Sequence, residues 1–416
     1  MLKVVHLVAG DELGGAVRAA LSLNYELKKA ELDSKILLQF GNSNSSDVEV
    51  VDKTKTNDVM RRLRYIKDQA PFRLHRNRKK YIFSPGIFGM NLSDHNLVRN
   101  ADVVHLHWIT NGYVDLRTLK LFEKPIVWTL HDMWSFTGGC HTSLNCSNFK
   151  TGCGNCPHLG STKLNDFSRW LVKRKKIFFQ VPFTPVAVSH WVKKCAEESY
   201  LLSDKRTELI HNGVDISLFK PQEIEFVRNK LNLPIKKKII LIDGQCTKHI
   251  WKGRKELQIC LENLKNEELF LLFFGNNDES FINKIGIDSK NFGRIYDDDL
   301  LCNVYNSADL FLFPSIQDNC PLVLLEAISC GTPVVCFDAT GPGEIIDHKE
   351  NGYAATAFEP IDLAKGVKWV LSDEMRKKQL GINARLKVEK DFDMKNVSEK
   401  YIQLYESLLD KTKKNI

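Results

Sequence analysis

The stretch from Pro314 to Ile346 constrains this chain more than any other. An apolar run, ADLFLF, leads into PSIQDNCPLVLLEAISCGTPVVCFDATGPGEII. ADLFLF has the continuous hydrophobicity of a strand buried on both faces, as in a parallel sheet. Asp318 and Asn319 stand where a helix cap is expected, and Pro321 falls in the first turn. Gly331 is the expected left-handed residue at the helix end, and PVVCF is the next strand. Strand, loop, helix, turn and strand make a βαβ unit. Its loop presents the N–H groups of a helix start at the carboxyl edge of the sheet, where such folds hold phosphate. Asp318 before the helix and Glu326 near its middle form a carboxylate pair suited to sugar and ribose hydroxyls. The same residues equally suit an ordinary βαβ unit with an acidic cap.

PSIQDNCPLVLLEAISCGTPVV resembles the signature of the family 4 glycosyltransferases, and the match runs from the first strand to the last helix. That family carries two glutamates separated by seven residues, ahead of a GTPVV strand. Here Asp318 stands in the first place and Glu326 in the second. The resemblance implies an α/β GT-B fold: two doubly wound Rossmann-like domains facing across a cleft, with a C-terminal helix crossing back to the N-terminal domain. It also implies a retaining transfer from a nucleotide-sugar, with Glu326 on the ribose and Asp318 orienting the sugar. The leaving phosphate accepts the acceptor proton, so neither a metal nor a protein nucleophile is required.

A length of 416 residues suits two domains, each able to bury a core. Apolar content of 43% and charged content of 26% are those of a globular protein. No apolar run approaches the roughly 20 residues that span a bilayer. MLKVVHLVAG enters a strand-like run directly, which reads as a mature, cytoplasmic start. The net charge of +8 gathers in two runs, Arg61–Lys80 and Val172–Phe179. Such runs are either solvated faces or surfaces for anionic lipid headgroups. The resemblance favours the second, at the inner face of the plasma membrane, with a lipid-linked oligosaccharide as acceptor. No recognition motif supports nucleic acid.

In chain order, LKVVHLVA is a strand, and Gly14 and Gly15 open the following helix, where backbone N–H groups can approach a ligand. SKILLQF is the next strand; residues 41–100 are polar, basic and poorly periodic. ADVVHLHW and PIVWTLHD are strands ending in histidine at the carboxyl edge. His131 resembles the family's sugar-contacting histidine, with His105 and His107 secondary. FTGGCHTSLNCSNFKTGCGNCPHLG follows. Its Cys140, Cys146, Cys153 and Cys156 include a C-x-x-C half-site for tetrahedral zinc; a disulfide or packed thiols are the other readings. A similar cysteine pattern occurs in the bacterial polysaccharide branch of the family, and a zinc there would be structural. The seven scattered cysteines read as small buried residues. Ser189 caps a helix after TPVAV, and HNGVD followed by F-x-P resembles the family's interdomain linker.

The second half opens with the strand KKKIILIDGQ. Lys252 and Gly253 resemble the family's K-G motif, whose lysine meets the donor diphosphate. Gln245 stands where the family has an arginine; Lys248 or Arg254 are nearby substitutes. Gly275 ends the strand ELFLLFF, and GRIY reads as a short strand before the next helix. The donor site is thus expected to comprise Gly14, Gly15, Gln245, Gly275, Asn319, Cys320, Pro321, Leu322 and Glu326, with His131, Lys252 and Asp318 as catalytic residues. The domains are expected at 1–205 (acceptor), 206–390 (nucleotide-sugar) and 391–416 (returning helix). The expected function is transfer from a UDP- or GDP-sugar to a glycan acceptor in surface polysaccharide synthesis. A GT-B nucleotide-sugar epimerase, a non-catalytic sugar-binding protein and a zinc-containing nucleic-acid binder are the alternatives.

Overall fold

The computed structural model describes residues 1–10, 14–41, 45–51, 54–79, 81–265 and 267–414. They group into two units, Met1–His211 with Val397–Ile416, and Asn212–Asn396. The first unit holds β1 (Lys3–Val8), β2 (Asp33–Leu38), β3 (Val48–Val50), β4 (Val103–Leu106), β5 (Ile126–Leu130), β6 (Thr184–Ala187) and β7 (Glu208–Leu209). They form one parallel sheet in the order β3-β2-β1-β4-β5-β6-β7. The second holds β8 (Lys238–Asp243), β9 (Leu269–Phe274), β10 (Ser289–Asn291), β11 (Leu310–Phe313), β12 (Val334–Phe337) and β13 (Gly352–Ala355). Their order is β10-β9-β8-β11-β12-β13, again all parallel. Each sheet reverses direction once, beside β1 and β8. That is the doubly wound arrangement, whose ligand crevice lies at the carboxyl edge of the strands flanking the reversal.

The central strands are runs of Val, Ile, Leu and Phe because helices cover both faces. Ile239–Ile242, Leu271–Phe273 and Leu310–Phe313 are almost fully buried, each side chain contributing about 1.5–3 kcal/mol on leaving water. Registers bring β1 and β4 together with His6 beside His105. The last helix, Met394–Lys414, places Tyr401 and Tyr405 in the first unit's core.

Several expectations shift. The sheet's sixth-strand edge partner is not GRIY but Ser289–Asn291, three polar residues held by register to β9. Val48–Val50 and Glu208–Leu209 are added strands, and Lys55–Arg73 is a helix within the unperiodic stretch. The helix after Pro314 is Leu322–Ser329. Its N-cap is Pro321, with no side-chain cap. Asp318 and Asn319 therefore do not cap it; the Asp318 carboxylate has stronger charged company elsewhere. After the linker, Glu223 caps the next helix, Ile224–Lys230, through its carboxylate. Gly331 does end its helix with φ +77°, and Ser189 caps His190–Glu197 through its hydroxyl.

The basic run Val172–Phe179 is only half a surface. It lies in the helix Phe167–Phe178, where Lys175 is buried and donates to the carbonyls of Trp134 and Thr137. Arg174 donates to the carbonyls of Gly86 and Ile87. The run Arg61–Lys80 stays outward: Arg62 is 71% exposed. Lys80 lies outside the described residues.

Candidate active site

In the second unit the carboxyl edge of β8 and β11 gathers the charges. β8 ends at Asp243, whose carboxylate caps a 3₁₀ turn through the Gln245 N–H. A second such turn, Ile250–Lys252, delivers Lys252, and Gly253 follows at φ +78°. A Cβ on Gly253 would fall 1.8 Å from the Pro314 carbonyl oxygen. Only glycine allows that approach, and the approach sets Lys252 beside the loop after β11. The Trp251 carbonyl accepts from the Ile316 and Gln317 N–H groups at 2.9 and 3.1 Å.

Lys252 Nζ then meets Asp318 Oδ2 at 2.7 Å, and Ser315 Oγ donates to the same oxygen at 2.9 Å. Both partners are under one-fifth exposed. Burial alone pulls Lys252 down, but the carboxylates of Asp318 and Asp243 outweigh it and hold its pKa above the ordinary lysine value. Burial pushes Asp243 up, with Lys252 opposing. The lysine is thus a fixed positive charge.

Two helix starts adjoin this pair. One is Leu322–Ser329. The other is Thr340–Ile345, also without a side-chain cap. The Gly341 N–H donates to the Asp318 carbonyl at 2.9 Å, and Thr340 Oγ1 accepts from the Asp318 N–H. Thr340 sits at φ +51°, unusual for a β-branched residue and the kind of strain that collects at functional sites. Sequence reading missed Thr340, Ser315 and Asp243; only the strand-end aspartate before a glycine carried a signal. Glu326 is 4% exposed and accepts from Tyr305 Oη at 2.8 Å. Asn319, Cys320, Pro321 and Leu322 form the loop into the helix, and the Cys320 carbonyl accepts from Asn212 Nδ2. Gly275, at φ +80°, lies against Asp243. Gln245 is exposed. Lys248 bonds Asn276, and Arg254 bonds Asp278.

In the first unit the corresponding edge is built of imidazoles. His6, on β1, lies 3.0 Å from His107, just past β4; His107 lies 2.9 Å from His131, just past β5. His105 bonds Tyr405 and Thr129, and Thr129 bonds Tyr401. Burial drives His6 down to about 3 and His131 to about 4, and holds His105 and His107 well below 6.5. All four rings are neutral. Among the described residues, His6, His105 and His107 are the trio of metal-ligating side chains with donor atoms within 4.8 Å of one another. Every ring nitrogen of the three already has a hydrogen-bonding partner, which accounts for their proximity without an ion. Asp132, the next residue in the chain, receives Trp108 Nε1 at 2.7 Å and pairs with His141 Nδ1 at 2.5 Å. His141 Nε2 continues to Ser84 Oγ. Gly14 is the uncapped N-cap of Gly15–Lys29, so both glycines stand at the β1 edge.

Cys140, Cys146, Cys153 and Cys156 line one cavity of about 10 Å³ with His158, whose buried Nδ1 has no hydrogen-bond partner there. Burial pushes Cys153 up to about 12, against a hydrogen bond from the Gly138 N–H. Backbone N–H groups of Leu159 and His158 face the Cys156 sulfur. Of the scattered cysteines all are buried except the half-buried Cys195.

Two doubly wound parallel sheets are the architecture of the GT-B fold. The family profile described as "Glycosyltransferase Family 4" matches residues 13–218, and "Glycosyl transferases group 1" matches residues 223–387. The chain belongs to the family 4 glycosyltransferases, and the protein is a glycosyltransferase. It is 24% identical over 374 residues to WcaC of Escherichia coli, a glycosyl transferase assigned to colanic acid biosynthesis, covering 85% of this chain and 87% of that one. It is 26% identical over 205 residues to a Campylobacter jejuni N,N'-diacetylbacillosaminyl-diphospho-undecaprenol alpha-1,3-N-acetylgalactosaminyltransferase, covering 47% of this chain and 53% of that one. Among solved structures, sucrose-phosphate synthase from Thermosynechococcus elongatus superposes with a TM-score of 0.72 at 18% identity, over 98% of this chain and 99% of that one. Anabaena HepE in complex with UDP-glucose superposes at 0.67 and 17%, over 98% and 100%.

Proposed function

We propose that the protein transfers a sugar, with retention, from a nucleotide-sugar to a lipid-linked glycan in surface polysaccharide synthesis. The carrying observation is the half-buried Lys252–Asp318 pair beside two uncapped helix starts at the edge of β11 and β12. A diphosphate there meets oriented N–H dipoles and one fixed cation, which stabilise charge as it builds on the leaving group. In this reading the second unit holds the nucleotide: Glu326 takes the ribose hydroxyls, Asp318 orients the sugar, and Lys252 serves the departing diphosphate. Gly275, Gln245, Asn319, Cys320, Pro321 and Leu322 line the donor. The first unit serves the acceptor; Gly14 and Gly15 approach with backbone, and His131 hydrogen-bonds the sugar. HepE binding UDP-glucose supports a uridine donor, and the Campylobacter relative supports an acceptor on a lipid diphosphate.

No helix among the described residues is long and apolar enough to cross a membrane. The helix Lys55–Arg73 instead exposes Val59, Met60, Leu63 and Ile66 beside Arg61 and Arg62, a mixture suited to an anionic bilayer surface at the inner leaflet. The four-cysteine cluster is read as a structural zinc site. Burial raises the thiols of Cys153 and Cys156, backbone N–H groups aimed at both sulfurs oppose that rise, and the buried Lys175 amine, itself lowered to about 7 by burial, stands near enough to offset thiolate charge. A bound ion would hold the loop carrying His141, and through Asp132 the residue after His131. Metal analysis of protein purified without added zinc should return about one equivalent; a negligible amount removes the site.

The test of function is incubation with UDP- and GDP-sugars, with and without a lipid-linked acceptor. Transfer with the anomeric configuration kept is expected. Turnover of donor alone would instead mark an epimerase, and binding without any turnover a sugar-binding protein.

A further inference from the structure

Two helices of the second unit share a pair of thiols as well as the Tyr305–Glu326 bond. Cys302 lies on Asp298–Asn306, one turn before Tyr305, and Cys330 caps the end of Leu322–Ser329, one turn after Glu326. Residues three or four apart share a helix face. The thiols and the Tyr305–Glu326 bond are therefore successive links between the same two helices. The sulfurs stand 3.8 Å apart. Cys302 Sγ accepts from Gln222 Nε2 at 3.3 Å and from Asn306 Nδ2 at 3.4 Å; in the thiol form its proton has the Leu218 carbonyl at 3.4 Å to meet. Cys302 is lowered to about 6, first by the hydrogen bond from Cys330, while burial pushes Cys330 well up. At neutral pH the pair holds one thiolate and one thiol, the combination that disulfide chemistry needs. Both residues are buried, yet Cys330, Gln222 and Asn306 line a cavity of about 510 Å³. That cavity gives a molecule the size of hydrogen peroxide a route to the two sulfurs.

We propose that Cys302 and Cys330 form a redox modification site, closed to a disulfide by a hydroperoxide, and that closure weakens the donor site. The Cys302 sulfur attacks one peroxide oxygen; the O–O bond breaks, hydroxide leaves, and Cys302 becomes a sulfenic acid. The Cys330 sulfur then displaces the hydroxyl from the Cys302 sulfur, and its own proton leaves with that hydroxyl as water. Counted from two thiols, the pair loses two electrons and two protons, and the peroxide is reduced to two waters. Bonding brings the sulfurs from 3.8 Å to about 2.05 Å, a movement of roughly 1.8 Å that the two packed helices must take up between them. One link away, Tyr305 Oη donates to Glu326 Oε2 at 2.8 Å, and a hydrogen bond does not keep its geometry through a shift of that size. The consequence for binding rests on the reading of Glu326 as the ribose contact.

The test uses the full chain, reduced and then treated with hydrogen peroxide. Peptide mass spectrometry should recover Cys302 linked to Cys330, with the link lost on adding dithiothreitol. This measurement needs no variant and no substrate. Absence of the link at every peroxide dose that leaves the chain folded overturns the site, as does a Cys302 that stops at the sulfenic acid. Calorimetry with UDP should give a Kd about tenfold weaker in the oxidised chain, the scale of one hydrogen bond, restored by dithiothreitol. Cys302→Ser should bind UDP like reduced wild type and lose the response to peroxide, which separates this pair from the other cysteines; Cys330→Ser serves the same comparison. A response that persists in both variants overturns the proposal. A link that forms without changing UDP affinity overturns the coupling to the donor site if Glu326→Ala weakens UDP binding. If Glu326→Ala also binds UDP like wild type, the ribose reading and the coupling built on it fall together.

Discussion

At the carboxyl edge of β4 and β5 the first unit buries neutral imidazoles; at the carboxyl edge of β8 and β11 the second sets a half-buried lysine against a carboxylate. The strand order around the two edges is the same, so topology does not explain the difference. The neighbours do. The first edge is ringed by His6, Tyr405 and Thr129, groups that hold a proton but no charge. The second has Asp243, Asp318 and a 3₁₀ turn that forces Lys252 between them. A neutral edge positions hydroxyls without attracting ions. A charged one, already desolvated, interacts strongly with a phosphate because little solvent remains to screen it. One fold thereby carries a neutral edge in one unit and a charged edge in the other.

The largest effect that could break this contrast is at Lys252. Lys252→Ala should slow turnover by roughly two to three orders of magnitude, as for one preorganised electrostatic group, and also leave Asp318 buried without its cation. Steady-state kinetics decide: near-normal turnover would mean the second edge is not where leaving-group charge is met. Glu326→Ala should be milder. Removing a buried hydrogen-bonding side chain costs about 1–3 kcal/mol, hence roughly five- to a hundredfold in donor affinity by calorimetry. Tyr305 also loses its partner, so folding is checked alongside. Wild-type affinity would move the ribose elsewhere.

The pH response sharpens the same contrast. His6 and His131 are depressed in the folded chain from 6.5 to about 3 and about 4, by burial. The unfolded chain takes up their protons first as pH falls. Stability from these groups is therefore full above about pH 6.5 and is lost progressively between pH 6.5 and 4, on the order of 1.4 kcal/mol per pH unit per fully titrating group. Hydrogen exchange should show the first unit opening over that range while β8–β12 stay protected. Equal loss in both units would sever acid sensitivity from the histidine edge.

What was legible in the chain follows from the same physics. Runs such as IILID and LFLLFF announce strands because nothing but a doubly covered sheet accommodates them. SKN carries no such signal; Ser289–Asn291 is a strand only because β9 offers it a ladder, and GRIY, with more apolar character, is not. Asp318 looked like a cap because short acids before helices usually are; a lysine 66 residues earlier claimed it instead. Lys175 looked like surface charge, since the two carbonyls that hold it come from a distant turn. The histidine line had a readable trace. His6, His105 and His107 interrupt otherwise aliphatic strands, and a polar residue inside a buried strand needs a partner. Which partners, only the register of β1 on β4 disclosed.

The smallest effect concerns charge that neither edge uses. The first unit keeps its sheet edge neutral while its helix Lys55–Arg73 carries exposed arginines, and Arg62, 71% exposed, pairs with Asp58 at 2.9 Å. A surface pair of this kind contributes little to folding, so Arg62→Gln should leave the melting temperature nearly unchanged. If the helix rests on an anionic leaflet, each arginine near the surface adds about 1 kcal/mol. The variant should then bind vesicles containing anionic lipid about fivefold more weakly, with neutral vesicles unaffected. Replacement of Lys175 should do the reverse, lowering stability through its two lost carbonyl bonds with no specific effect on vesicle binding. Were Arg62→Gln to bind both vesicle types like wild type, the outward charge would be solvated and the membrane would have to be met by another face.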